Sequence, residues 1–308
     1  MRIIYMGTPD FAVPSLVALD RAGYKPIAVV TGQDKPRGRG RKLVPTPVKL
    51  AAEEMGISTI LQPASVKLPE FAEQIKDLNA DLQVVVAFRI LPPEVFKAAR
   101  LGAFNLHGSL LPRYRGAAPI HRAVMAGDSV TGVTTFFLRE KVDTGNMILQ
   151  RAMPIGPNDT TGDVHDRMML LGASAVVETV RAVDAGAVEE LPQDDAQATP
   201  APKVFRERAD IPWGMDAAEV HNHIRGHSPV PCAWTTAPQG LLKVYRSEPA
   251  EGEGSPGEIL AIDGGLLVAC GTGAVSLLEV QPAGRKRLPI GDYLRGASLM
   301  PGQVLVTT

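Results

Sequence analysis

The sequence predicts an α/β fold: a doubly wound, Rossmann-like, mostly parallel sheet followed by a small antiparallel β-barrel of OB-like form. Three observations predict it. Valine- and isoleucine-rich runs alternate with amphipathic stretches through the first half, as buried parallel strands joined by crossover helices do. A segment with three prolines and few bulky apolar groups, Leu191–Pro202, then breaks the pattern and reads as a linker. Beyond it, short strand patterns recur between glycine and proline turns, the texture of a small antiparallel barrel.

Taken in order, Arg2–Met6, Pro26–Thr31, Leu82–Phe88 and Ala103–His107 are the expected buried strands. Phe11–Ala22, Pro47–Met55, Glu70–Leu78 and Pro93–Ala99 carry helical spacing between them. Val130–Leu138 and Met147–Met153 add two strands, and Thr161–Ala185 is a long helix capped by Thr160 or Thr161. After a short helix near Ala217–Ile224, strands are expected at Ala233–Ala237, Leu242–Ser247, Gly257–Ile262, Leu266–Ala269 and Val275–Gln281. The division is therefore residues 1–190, a linker 191–205 and a second domain 206–308.

The 308 residues are 45% hydrophobic and 21% charged, enough apolar material for a sizeable core without a disulfide or metal staple. Net charge is −1, so a nucleic-acid partner has to be argued from where the basic residues lie. Two cysteines, Cys232 and Cys270, without CxxC spacing read as inert thiols in a reducing compartment. No apolar run is long enough to span a membrane, and the first residues enter a strand pattern directly. A cytoplasmic location is expected.

The segment Asn105-Leu106-His107-Gly108-Ser109-Leu110-Leu111-Pro112-Arg113-Tyr114-Arg115-Gly116-Ala117-Ala118-Pro119 begins at the carboxyl end of an expected strand, where open parallel sheets place their ligands. Asn105 and His107 are two apart and share a face. A second polar element, Val142-Asp143-Thr144-Gly145, lies in a turn. Such a set suits acyl transfer to an amine. A fixed amide stabilises a tetrahedral oxyanion, while an imidazole oriented by a carboxylate moves the protons. Neither a metal nor a covalent nucleophile is required. Singly, each residue has an ordinary structural reading as strand-end histidine, turn aspartate or loop cap.

The run Asn105–Pro119 resembles the signature of the folate-dependent formyltransferases, in the branch whose acceptor is a charged tRNA. Gly7–Pro14 is similar to that family's opening loop, Pro36–Lys49 to a basic insertion loop, and Ile224–Pro229 to part of its second domain. The resemblance covers nearly the whole chain. It implies a transferase that carries the formyl group of 10-formyltetrahydrofolate, a co-substrate, to the amino group of methionyl initiator tRNA in translation initiation. It implies Asn105, His107 and Asp143 as catalytic residues, and Ser109, Leu110, Leu111 and Pro112 as a folate-contacting segment with a cis bond before the proline. Phe88, Arg89, Ile90 and Leu91 would form the pterin wall. It also makes 1–190 the catalytic domain and 206–308 the tRNA-binding barrel of a monomer. The sequence departs from the pattern at Gly32-Gln33-Asp34, in the length of the wall and at Asn146.

Lys35, Arg37, Arg39, Arg41 and Lys42 form a basic, glycine-punctuated loop without an acid, suited to phosphates though also to a solvated surface. The resemblance favours tRNA contact by Arg37, Arg39, Arg41 and Lys42, with Lys203, Arg206, Arg208, Lys243, Arg246, Arg285, Lys286 and Arg287 as a further basic group. Other signals are weaker. Gly7–Ala12 lacks the glycines of a dinucleotide loop. His221 and His223, two apart on a helix, diverge by roughly 200° and make a poor metal pair. The rivals are a formyltransferase with a small-molecule acceptor, a formyl-folate hydrolase and an inactive RNA-binding protein.

Overall fold

The expected strands of the first half form a sheet. β1 (Ile3–Gly7), β2 (Ala28–Val30), β3 (Ile60–Leu61), β4 (Leu82–Val86) and β5 (Ala103–His107) are parallel, with Ile4 beside Ala28, Tyr5 beside Val84, Val29 beside Ile60 and Val85 beside Asn105. Every residue of β1 and β4 is buried, the state of a sheet covered on both faces. β6 (Val130–Phe137) runs antiparallel to β5, pairing Phe136 with Asn105 and Thr134 with His107, and β7 (Met147–Pro154) lies beyond it. The order is β7-β6-β5-β4-β1-β2-β3. Only β3 escaped the sequence reading, because two residues carry no period.

The helices start where proline allows. α1 (Val13–Arg21), α2 (Pro47–Glu54), α3 (Pro69–Asp77), α4 (Pro93–Phe96) and α5 (Pro119–Met125) all have proline in the first turn, where its missing N–H is not needed. The amphipathic stretch expected from Phe11 opens instead as a 3₁₀ turn, Asp10–Ala12. α6 (Thr161–Asp184) is capped by Thr160: its hydroxyl accepts from the Asp163 N–H at 3.2 Å, and the Asp163 carboxylate accepts from the Thr160 N–H at 2.9 Å. Two orphan donors of the helix end are thus satisfied reciprocally.

The second set of strands is antiparallel: β8 (Ala233–Ala237), β9 (Gly240–Ala250), β10 (Ile259–Ala261), β11 (Leu266–Ala269) and β12 (Ala274–Pro282), in the order β8-β9-β12-β11-β10. The sheet curls. Val306 bridges Thr236 in β8, and Val304 bridges Glu258 beside β10, so one terminal segment touches both edges and covers their unpaired groups. Trp213, Val220, Ile224, Leu242, Val268 and Leu277 are buried together inside. α7 (Ala217–His227) opens on a capping box of Asp216 and Glu219 and runs one turn past the expected Ile224. It meets α5 at Gly226, where a Cβ would stand 2.4 Å from Met125 Cγ. The two cysteines are buried and free, and burial pushes both thiols up to about 11.

This computed structural model describes residues 1–37 and 42–306. They separate into two units, Met1–Gly116 with Gly132–Met153 and His165–Pro200, and Ala117–Thr131 with Pro154–Val164 and Ala201–Thr308. The segment Leu191–Pro202 is more than a spacer: Leu191 bridges Met147, Asp195–Gln197 is a 3₁₀ turn, and Thr199 O accepts from the Arg115 N–H at 2.8 Å.

Candidate active site

The polar groups singled out in the sequence lie around the carboxyl end of β5, within the first unit. β5 presents half-buried Asn105 and buried His107 at alternate positions. His107 Nε2 lies 2.8 Å from Tyr114 O. A carbonyl only accepts, so Nε2 carries a proton, and in a neutral ring the lone pair is left on Nδ1. Nδ1 stands 3.8 Å from Asp143 Oδ2, and the same carboxylate oxygen accepts the Gly116 N–H at 2.9 Å. Phe136 closes one side, edge-on at 6.4 Å between ring centroids. The fold thus sets which ring nitrogen donates to a carbonyl and which faces the Asp143 carboxyl group.

Asp143 occupies a strained turn. Its φ is +54°, a region that non-glycine residues enter at a cost. Two residues on, a Cβ at Gly145 would lie 1.6 Å from Phe137 O, so only glycine fits. Gln193 spans the turn from outside: its Nε2 donates to Asp143 O at 3.0 Å and Gly145 O at 2.8 Å. Its Oε1 accepts from Arg115 Nε at 3.0 Å and Nη2 at 2.7 Å.

The segment Ser109–Pro112 leaves β5 at the same end, and the Leu111–Pro112 peptide is cis. Buried Thr134 of β6 ties it down. Its hydroxyl donates to Ser109 O at 2.7 Å and accepts the Leu111 N–H at 3.0 Å. Gln150 of β7 adds Nε2 to Leu111 O at 2.8 Å and to Thr134 Oγ1 at 3.1 Å. Half-buried Leu110 and Pro112 line the same turn.

Phe88–Leu91 follows β4, the neighbouring parallel strand, and emerges at the same end of the sheet. Arg89 is pinned by Pro63 O at 3.0 Å and Ala64 O at 3.1 Å, with its guanidinium 5.7 Å from the Phe88 ring centroid. Leu91 is in the core with Val95 and Phe96, whereas Ile90 is 70% exposed. The wall residues thus divide between core and surface.

Of the basic loop, Lys35–Arg37 pairs antiparallel with Lys42–Val44, and Lys42 is exposed. Arg39, Arg41 and the side chain of Arg37 lie outside the described residues. The loop base is fixed by Lys49 Nζ on Asp34 Oδ2 at 2.7 Å and Gln62 Nε2 on Asp34 Oδ1 at 2.7 Å. These partners hold the Asp34 carboxyl below the usual range, the Lys49 hydrogen bond most. In the second unit, Arg246 pairs with Asp163 at 3.0 Å, and Arg287 pairs with Glu279 at 2.5 Å while lying 4.2 Å from the Tyr245 ring centroid. Lys203 lies over the Phe205 ring at 5.4 Å. His221 is spent on Ser247 Oγ and Pro157 O, and His223 stacks on His227 with centroids 4.2 Å apart.

Comparison with known proteins bears on this geometry. The pattern of the formyl transferase family matches residues 1–180, and that of the formyl transferase C-terminal domain matches 203–298. The chain belongs to the formyl transferase family. A methionyl-tRNA formyltransferase of Citrifermentans bemidjiense is 47% identical over 99% of this chain and 96% of its own. One from Moorella thermoacetica is 46% identical over 99% of both. Among solved structures, the N-formyltransferase of Helicobacter canadensis, in complex with folinic acid and dTDP-3-aminofucose, shares the fold. Its TM-score is 0.69 at 18% identity, covering 90% of this chain and 98% of that one. This formyl transferase is thus a two-part α/β and antiparallel β protein, as the sequence predicted.

Sequence reading missed Thr134, Gln150 and Gln193. Thr134 had a signal, a threonine inside an apolar strand opposite His107. Gln150 and Gln193 had none; one lies in an edge strand and the other in the segment read as a linker.

Proposed function

We propose that this formyl transferase moves the formyl group of 10-formyltetrahydrofolate to the amino group of methionyl initiator tRNA, in the cytoplasm, with Asn105, His107 and Asp143 as the catalytic residues. The amine adds to the formyl carbon, and the resulting oxyanion is met by the Asn105 amide. His107 Nδ1, the lone-pair nitrogen, takes the amine proton and returns it to the departing folate nitrogen as the C–N bond breaks. Asp143 faces that nitrogen and favours the ring while it is protonated. Ser109–Pro112 and Phe88–Leu91, which leave the same end of adjacent strands, hold the folate.

One observation carries the chemistry: Tyr114 O occupies Nε2, while the other ring nitrogen faces Asp143. The acceptor rests on relatives named methionyl-tRNA formyltransferase that match along nearly the whole chain. Arg37, Arg39, Arg41 and Lys42 are assigned to tRNA phosphates, with residues 206–308 as the tRNA-binding domain beyond a catalytic domain of 1–190. A single chain suffices for this arrangement.

The test is transfer of labelled formyl from 10-formyltetrahydrofolate to methionyl initiator tRNA, free methionine and glycinamide ribonucleotide. Labelling of the tRNA alone is expected. Labelling of the small acceptor, or release of free formate without transfer, would overturn the acceptor while leaving the family intact.

A further inference from the structure

Asp143 sits in a turn that its own sequence holds poorly. Val142 is 45% exposed, Thr144 spends its hydroxyl on Lys141 O at 2.8 Å, and φ at Asp143 is +54°. A carboxylate on such a turn would wander, because one bond from the Gly116 N–H fixes its oxygen but not the backbone beneath. The backbone is fixed by Gln193. Each of its two amide protons has a carbonyl, at Asp143 and at Gly145.

The amide cannot be turned over. A flip would set its oxygen against two carbonyl oxygens and its NH₂ against the Arg115 guanidinium. Arg115 is itself held, by Asp195 Oδ1 at 2.7 Å on Nη1 and through its N–H on Thr199 O at 2.8 Å. That pairing holds the Asp195 carboxyl below the usual carboxylate range. The next residue after Arg115 is Gly116, whose N–H grips the Asp143 carboxylate. The contacts close a ring: Gln193 holds the turn and Arg115, Arg115 carries Gly116, and Gly116 holds the side chain that the turn presents.

We infer that Gln193 is the positioning residue for Asp143, and that the segment from Leu191 to Thr199 is a working part of the catalytic site. The inference rests on the reading of Asp143 as the partner of His107. Gln193 itself touches no reacting atom in this scheme. Its role is to keep Asp143 Oδ2 aimed at His107 Nδ1, a placement whose loss by an ångström is costly in rate.

The experiment is a double-mutant cycle on the full chain, with 10-formyltetrahydrofolate and methionyl initiator tRNA as substrates. Gln193→Ala is expected to lower kcat about ten- to hundred-fold, with KM for both substrates within about two-fold. Gln193→Glu keeps an acceptor for Arg115 but has no protons for the two carbonyls, and is expected to lose at least as much. In an Asp143→Asn background, Gln193→Ala should add no further loss, because there is no carboxylate left to aim. A merely structural residue would slow both backgrounds equally, and that result overturns the inference. So does an unchanged kcat in Gln193→Ala while Asp143→Asn is slow. If Asp143→Asn itself runs at the wild-type rate, the reading of the site falls and this inference with it.

Discussion

Two short segments lie at the carboxyl end of β5 and are held in opposite ways. Ser109–Pro112 is secured from beneath: Thr134 and Gln150, in the next two strands of the same sheet, take its carbonyls and its Leu111 N–H. Asp143–Gly145 is secured from outside, by a glutamine some fifty residues on in an irregular segment. The first anchor is fully buried, with Thr134 at 0% exposure; the second is half-buried. A buried hydroxyl with three partners makes its segment as rigid as the sheet. A half-buried amide leaves its segment dependent on a distant stretch of chain.

The largest expected effect falls on the ring that Asp143 faces. His107→Ala should fold normally and lose about 10²–10⁴-fold in kcat, measured by formyl transfer at saturating substrates. Wild-type turnover would dissolve the comparison, since the Asp143 turn would then have no ring to serve. Next comes Gly145→Ala. With its Cβ 1.6 Å from Phe137 O, the turn has to rebuild, at a cost of about 4 kcal/mol or more in urea unfolding; an unchanged midpoint would show the turn to be softer than its geometry.

Thr134→Val tests the other anchor while keeping the shape. It leaves the Ser109 carbonyl and the Leu111 N–H without their hydroxyl partner, which should cost about 2–3 kcal/mol and raise KM for the folate more than it lowers kcat. If kcat alone falls, the anchor serves catalysis rather than binding, and the contrast between the segments disappears.

Acid tests a third place, the buried histidines of α7. Burial pushes His227 down to about 4, and burial lowers His221 and His223 in the same direction. A histidine depressed in the folded state takes its proton first in the unfolded chain. Stability is thus present above about pH 6.5 and lost as pH falls toward 4, by about 2 kcal/mol at pH 5 for His227 alone. Denaturation at pH 7.5 and 5 should show this loss in the wild type and a smaller one in His227→Gln. Equal losses in both would move the acid-sensitive group elsewhere.

What could be read from the sequence follows the same divide. Strands such as Leu82–Val86 were legible because burial on both faces demands an unbroken apolar run. The polar run Asn105–Pro119 stood out because it is contiguous at a strand end, and the cis Leu111–Pro112 bond followed from its resemblance to the family. Thr134 left only a partial signal, because register decides which threonine of β6 faces His107. Gln193 was hidden more deeply: prolines, aspartates and glutamines signal solvation, and nothing local distinguishes a glutamine that faces water from one bridging two carbonyls. The closure of the second sheet by Val304 and Val306 was likewise invisible, since single bridges need no strand pattern.

The early end of the family's first pattern, at residue 180, makes the stretch after it look expendable to anyone splicing modules. The contacts put the seam elsewhere. A graft joined at residue 190 would carry Asn105, His107 and Asp143 intact yet discard Gln193, Asp195 and Thr199, whereas the first unit runs to Pro200. With Gln193 positioning Asp143 as inferred above, a protease nick between 191 and 199 should lower formyl transfer while leaving Asn105, His107 and Asp143 in place.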